Sequence, residues 1–501
     1  MTRVRLGIRT DGPPLEPDGH PTYGEVVADN TALRAQLDAF AARLTALESA
    51  NLTLSADNLQ LRARLGMNSR NSSKPPSSDG YAKPAPKSRR VRSGKKPGKQ
   101  PGAPGKFLPQ VENPDTVIEH EPDHCVDCGE TLSGAPVTKV IVRQVYDLPA
   151  IEAFITEHRA ERRRCWCGCE TTAPFPKEAT GPACYGPNLR ALVCYLVVRQ
   201  HIPIGRVAEL LRDAYSIPVS PGTIVAMVGE GAGMLAGFLA SLKGQLRGAD
   251  VAHADETGLR VESTLHWVHS ISTTLLTMYH LDKKRGSLAM EHMGVLTHFK
   301  GVLIHDGFRP YRTYRAITHA LCGAHHLREL DAAAEVKGQG WAKDMAALLS
   351  GTYLRVLELK EAGVLSFSTE ELALIESAYA AIIAAGHLAN PPVLASGRQG
   401  PPRRTPAANL LARLDDHADE ALRFATDFRV SFDNNEAERQ VRMLKVQQKI
   451  SGGFRTTAGA KTWLAVRSYV ATTMKNGINP LGALQLLMAG DPWMPIAPDS
   501  G

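Results

Sequence analysis

Residues 249–261 read ADVAHADETGLRV and residues 301–311 read GVLIHDGFRPY. Each stretch brings an acid to the end of an apolar run: Asp255 opens the Asp255-Glu256-Thr257 step, and Asp306 follows Val302, Leu303 and Ile304. Between them, LHWVHSISTTLLTMYHLD supplies two further strand-like runs separated by a short turn. The pattern after Gly248 is therefore a sheet, with Asp255 and Asp306 presented at strand ends.

A third acid has to come from far downstream. In SFDNNEAERQVRMLKVQQKISGGFRT, residues 431–456, the helix-start residues Asp433, Asn434 and Asn435 open a helix that runs to about Lys449. Ala437, Val441 and Leu444 share one face of it. Glu436 and Glu438 flank that face on opposite sides, about 200° apart at ~100° per residue, so only one can readily join the two aspartates. Periodicity does not choose between them. Capping offers a clue, because an Asp433 N-cap makes Glu436 the N3 partner of a capping box and leaves Glu438 for metal. Two strand-end aspartates and a helix glutamate suit a two-metal phosphoryl-transfer site. Mg²⁺ or Mn²⁺ takes oxygen ligands, and a pair of ions ~3.5–4 Å apart activates one oxygen while stabilising the other. Carboxylates are abundant, with 51 Asp and Glu in the chain, so three of them do not define a site without further context.

The rest of the chain supplies that context. At 501 residues it has room for about three domains, and 43% hydrophobic with 22% charged residues is an ordinary globular composition. No apolar run approaching the ~20 residues of a membrane span is expected, nor a secretory leader, which places the chain in a reducing cytoplasm. Its eight cysteines are then expected to be thiols or metal ligands. The net charge of +7 is concentrated: Arg70 to Lys106 holds 11 Lys or Arg against one acid, Asp79. Such a segment points to a polyanionic partner, and nucleic acid fits better than a membrane because no apolar face accompanies the charge.

Several modules can be read in order. Residues 1–23 are expected to be a disordered tail. Residues 24–68 carry a heptad repeat, with Val26, Leu33, Phe40, Leu47, Leu54 and Leu61 at one core position. Asn30, Leu37, Leu44, Asn51, Asn58 and Leu65 occupy the other. Recurrent asparagine opposite leucine favours a parallel two-stranded coiled coil and hence a homodimer. Residues 69–107 are rich in Ser, Pro, Gly and Lys, a basic disordered linker suited to phosphate contacts. In 108–182, Cys125-Val-Asp-Cys128-Gly and Cys165-Trp-Cys167-Gly-Cys169 flank strand-like runs, the pattern of a zinc ribbon. Cys125 and Cys128 are the first ligand pair. The choice among Cys165, Cys167 and Cys169 stays open, with Cys165 and Cys167 preferred because Gly168 follows them. Residues 183–247 are helical and contain a helix-turn-helix pattern from Pro203, its second helix capped by Ser220 with Pro221 at the first position. That helix would enter a major groove.

Taken together, the series SSKPPSSDG, the paired cysteine knuckles, IPVSPGT, HADETGLRV, LHWVHSISTT, IHDGFRPY, ALCGAHHLREL and NNEAERQVRMLKVQQKISGGFRT resembles a DDE transposase of the insertion-sequence-66 family. The likeness runs from the coiled coil almost to the C-terminus. It implies a multidomain α+β chain whose ribonuclease H-like α/β catalytic domain spans 248–336 and 430–482. A helical insertion would occupy 337–429 and a C-terminal tail 483–501. It also implies Asp255, Asp306 and Glu438 as the metal-binding acids, since the family's Asn-Asn-x-Ala-Glu-Arg falls on Asn434, Asn435, Ala437, Glu438 and Arg439. Its Cys-x-x-His element falls on Cys322 and His325, with packing or local positioning as their expected role. The implied partners are element-end and target DNA, a second copy of the chain and helper proteins of the same element, in a bacterial cytoplasm at the nucleoid. Arg439, Arg442, Lys445 and Lys449 are candidates for DNA-backbone contact from the catalytic helix. Two other readings compete: a noncatalytic DNA-binding regulator, and a nuclease of the same fold that cuts without joining.

Overall fold

A computed structural model describes residues 22–65, 102, 107–148, 152–391 and 404–496. Residues 1–21 of the expected N-terminal tail, nearly all of the basic linker and residues 392–403 lie outside these residues. The chain divides into two compact units: Met1–Pro86 with His325–Thr352 and Ala373–His417, and Lys87–Ala324 with Tyr353–Leu372 and Ala418–Gly501.

The first unit contains the 43-residue helix Tyr23–Leu65. It begins at a reciprocal cap, where the Thr22 N–H donates to Glu25 Oε2 at 2.9 Å and the Glu25 N–H donates back to Thr22 Oγ1 at 3.4 Å. Val26, Leu33, Leu37, Phe40, Leu44, Leu47 and Leu54 are all exposed along it. The helix Thr369–Ala389 is long and apolar enough to cross a membrane by length and composition, a stretch the sequence reading did not anticipate. Most of it is exposed, and it packs on one side only: Tyr379, Ile383 and Gly386 are buried, Tyr379 Oη donates to the Leu414 carbonyl at 2.8 Å, and a Cβ on Gly386 would meet Leu411 and Trp341.

The second unit is built on two sheets. A small antiparallel pair joins β1 (Arg162–Arg164) to β2 (Glu170–Thr172). The main sheet holds β3 (Val251–Val261), β4 (Thr264–Ser272), β5 (Thr277–Asp282), β6 (Val302–His305) and β7 (Thr318–Leu321), in the order β5-β4-β3-β6-β7. β3, β4 and β5 run as an antiparallel meander, and β6 and β7 add in parallel on the other side of β3. β3 is thus central, paired on both edges and buried over most of its length. The exposed edge of β5 is covered by the helix Thr457–Lys475, whose Thr472 and Ser468 hydroxyls bond to the backbone of Thr277 and Tyr279 at 3.1 Å. Lys475 adds bonds to the Thr273 and Leu276 carbonyls. An edge that would otherwise offer unpaired groups to another strand is closed by side chains.

The helices Pro187–Cys194, Ile204–Tyr215, Pro221–Met234 and Ala236–Arg247 precede the sheet and share its core, in which Leu211, Ile224, Phe238, Leu242, Leu259, Ile271 and Tyr469 are fully buried. Ser220 caps the third of them by accepting the Thr223 N–H at 3.1 Å, with Pro221 at its first position. The groove-reading role expected of this helix is poorly served by its surface. Its outward residues Pro221, Gly222, Val225, Ala226 and Glu230 include no cation, and Glu230 is paired with Arg190. A second correction concerns the C-terminal tail. Asn479 caps the helix Pro480–Met488, whose Ala483, Leu484, Leu487 and Met488 are buried, and the Trp493 N–H donates to Tyr469 Oη at 3.0 Å. Residues 483–488 therefore belong to the core packing, with Trp493 against it.

Candidate active site

Sheet register places the first two acids. β3 and β6 pair in parallel as Val251↔Val302, Ala252↔Leu303 and His253↔Ile304, a constant offset of 51 residues. Continued two steps, that offset sets Asp306 beside Asp255, where neighbouring strands are about 4.8 Å apart. Asp255 Oδ1 accepts the N–H of Glu256 at 2.8 Å, and Asp306 Oδ1 accepts the N–H of Phe308 at 2.9 Å. Gly307, at φ 92°, makes the turn between Asp306 and Phe308 in a conformation that favours glycine.

Glu438 arrives on the helix Asn435–Ser451, which packs on β3 and β4. The start of that helix is tied directly to the strand carrying Asp255. Asn434 is 1% exposed; its Nδ2 donates to the Ala254 carbonyl at 2.8 Å and its Oδ1 lies 3.1 Å from His253 Nδ1. Because the amide nitrogen is committed to Ala254, the oxygen must accept, which puts the His253 proton on Nδ1. The Asn434 N–H donates to Cys322 Sγ at 3.2 Å, and the Cys322 N–H donates to the His305 carbonyl at 3.0 Å. Cys322, whose expected role was packing or local positioning, thus links the end of β6 to the start of the Glu438 helix.

Burial pushes Asp255 well above the usual carboxylate range, and the charges of Glu256, Asp306 and Glu438 push it further. Like charges near a buried carboxylate oppose its ionisation, and hard carboxylate oxygens suit Mg²⁺ or Mn²⁺.

Glu436 is placed differently from the sequence expectation. The helix N-cap is Asn434, and Asp433 accepts the Asn435 N–H at 3.0 Å, so no capping box forms between Asp433 and Glu436. Glu436 instead pairs with Lys475 at 2.9 Å and with Arg439 at 3.0 Å. Burial opposes its ionisation, but Lys475 and Arg439 hold its carboxyl below the ordinary value. Burial lowers Lys475 in turn to about 8. Glu436 thus has a structural partner, though not the one capping logic supplied.

One acid was not singled out from sequence. Glu256 points away from the Asp255 face, as alternation along a strand requires. Its side chain is 1% exposed, and Arg285 Nε and Nη2 reach Oε1 at 3.0 and 2.7 Å. Tyr311 Oη donates to Oε2 at 2.7 Å. Burial and the charge of Asp306 raise Glu256 to about 6 against the opposing pull of Tyr311 and Arg285. The adjacent acids in DETG were visible, but the partners of Glu256 come from 29 and 55 residues away and follow no local pattern.

Of the four cations proposed on the catalytic helix, Arg439, Arg442 and Lys449 are exposed. Lys445 is not available for DNA: it turns inward, donates to the Gly258 carbonyl, and is lowered by burial. The cysteine knuckles form turns of different length, the second one residue tighter than the first. The Gly129 N–H bonds to the Cys125 carbonyl at 2.9 Å and the Gly168 N–H to the Cys165 carbonyl at 2.8 Å, with both glycines at positive φ. The Cys128 and Asp127 amides and the Cys128 thiol lower Cys125. Cys167 is lowered by the Cys169 amide and by the Cys165 and Cys169 thiols, so all three cysteines of the second knuckle remain in play.

Residues 182–462 match the model of a family described as "Transposase IS66 family". Residues 16–108 match a family of unknown function, DUF6444. No curated protein matches the chain.

Proposed function

The chain belongs to the IS66 family of transposases, and on that premise we propose that it cuts and joins DNA at a DDE site formed by Asp255, Asp306 and Glu438. The observation that supports this reading is the β3–β6 offset of 51 residues, on which Asp306 falls opposite Asp255, with the charges of Asp306 and Glu438 adding to burial in raising Asp255. The order β5-β4-β3-β6-β7, three antiparallel strands followed by two parallel ones with the acids at β3, after β6 and on a later helix, supports the reading of this unit as ribonuclease H-like.

In this reading Asp255, on the central strand, Asp306 and Glu438 would hold the divalent cations, which would supply Lewis acidity to the attacking and leaving oxygens. The protein's part is placement: β3 and β6 fix two carboxylates side by side, and Asn434 anchors the helix that brings the third. Water attacks the phosphodiester at the element end, leaving a 3′-OH and a 5′-phosphate. That 3′-OH then attacks a target phosphodiester, whose own 3′ oxygen departs, so no covalent bond to the protein is needed. Arg439, Arg442 and Lys449 line the exposed side of the helix for backbone contact. The exposed leucine stripe of Tyr23–Leu65 pairs with a second copy, giving two active sites for two ends. Zinc on the two knuckles orders the 107–182 segment, which buries little apolar surface of its own.

The test is incubation with labelled element ends, target DNA and Mg²⁺. Nicked ends with 3′-OH groups and joined products support the proposal. Binding with neither product indicates a regulator, and nicking without joining indicates a nuclease.

A further inference from the structure

Glu256 is the buried acid that the DDE reading leaves without a task. Both of its oxygens are already engaged by protein donors, Oε1 by Arg285 and Oε2 by Tyr311. A carboxylate so saturated is a poor fourth ligand. Its partners are informative about what it does. Tyr311 is 2% exposed and sits in the 3₁₀ turn Arg309–Thr313, which begins three residues after Asp306. The Arg285 guanidinium lies 4.0 Å from the ring centroid of Phe308 and 4.8 Å from that of Trp267 on β4. Phe308 is the residue whose N–H holds Asp306 Oδ1. The contacts therefore close a ring from Asp255 to its neighbour Glu256, through Arg285 and Tyr311 to Phe308 and its turn, and back to Asp306.

Resting on the DDE reading, we propose that Glu256 is a positioning residue, clamped by Arg285 and Tyr311 so that the turn carrying Asp306 is held against the strand carrying Asp255. The ion pair joins a buried carboxylate to an arginine that is 42% exposed, so it adds little general stability, but it does fix geometry. The β3–β6 ladder ends at His253↔Ile304, two residues before the aspartates, and its register brings their backbones together without fixing the turn that follows β6. The clamp takes over at that point. Outer groups that orient metal ligands typically change metal affinity by about 10–100-fold when removed.

The experiment is calorimetric titration of the full chain with Mn²⁺, on wild type, Glu256→Gln, Tyr311→Phe, the double variant and Asp255→Asn, with Mg²⁺-dependent nicking measured alongside. Glu256→Gln and Tyr311→Phe should each weaken Mn²⁺ binding by about tenfold. The double variant should be no worse than the poorer single one, because the two changes break one clamp. Asp255→Asn should bind far more weakly and fail to nick. Wild-type Mn²⁺ affinity in folded Glu256→Gln and Tyr311→Phe, with Asp255→Asn defective, overturns the clamp and leaves the DDE site standing. Wild-type binding and nicking in Asp255→Asn overturns the DDE site and the clamp with it. Tyr311→Phe keeps the ring and its packing, so it decides the matter alone if Glu256→Gln does not fold.

Discussion

Replacing Asn434 with alanine removes the tie between the Glu438 helix and the strand that carries Asp255. Two bonds are lost: the 2.8 Å bond from Nδ2 to the Ala254 carbonyl and the 3.1 Å bond accepted from His253 Nδ1. All three residues are buried, so the Ala254 oxygen and the His253 N–H are left without partners. Each of the two stranded groups costs about 1–3 kcal/mol, which gives a destabilisation of about 2–6 kcal/mol. Asn434→Asp should fare no better, because it sets a carboxylate oxygen against the Ala254 carbonyl. Urea unfolding of the full chain measures the loss as a lower midpoint at unchanged slope. Nicking of element-end DNA in Mg²⁺ under native conditions should fall further than stability alone explains, since the helix start sets the reach of Glu438. A change below about 0.5 kcal/mol with unaltered nicking would refute the reasoning, because it would mean that neither bond bears on the helix position.

Burial holds His201 and His280 down to about 4, whereas the unfolded chain protonates histidine near 6.5. The stability they contribute is complete above pH 6.5 and is lost as the pH falls toward 4. His280→Gln should flatten the decline of the urea midpoint across that window, and an unchanged slope would contradict the assignment. A Cβ on Gly323 would lie 2.3 Å from the Phe432 ring, so Gly323→Ala should cost about 1–3 kcal/mol in the same assay. A neutral result would mean that Phe432 yields freely. Leu37→Lys combined with Leu44→Lys should convert a dimer to a monomer in sedimentation, whereas a dimer that survives both changes is not held by the leucine stripe.

Local rules made part of the fold legible. The apolar run before Asp306 is a strand that ends one residue short of it, and Ser220-Pro221 opens a helix, but Asp255 is the fifth of the eleven residues of β3 and does not stand at a strand end as expected. The choice of Glu438 over Glu436 was not settled that way. The expected capping box is absent, and Glu436 is claimed by Lys475, 39 residues further on, a pairing no periodicity displays. The inward turn of Lys445 likewise depends on the Gly258 carbonyl of another element. The clamp on Glu256 joins three segments whose spacing carries no signal. Asn479-Pro480 is different: it is a local helix start of the same kind as Ser220-Pro221, and the helix it opens belongs to the core. There the information was in the sequence, and the expected tail gave it too little weight.

The central claim is most directly tested by end-cleavage and joining in Mg²⁺ with Asp255→Asn, Asp306→Asn, Glu438→Gln and Glu436→Gln compared with wild type. The account predicts that the first three are folded, bind end DNA and yield neither nicked nor joined product, while Glu436→Gln is less stable but still performs both steps. Joining by any of Asp255→Asn, Asp306→Asn or Glu438→Gln, or a folded Glu436→Gln without activity beside an active Glu438→Gln, would contradict it.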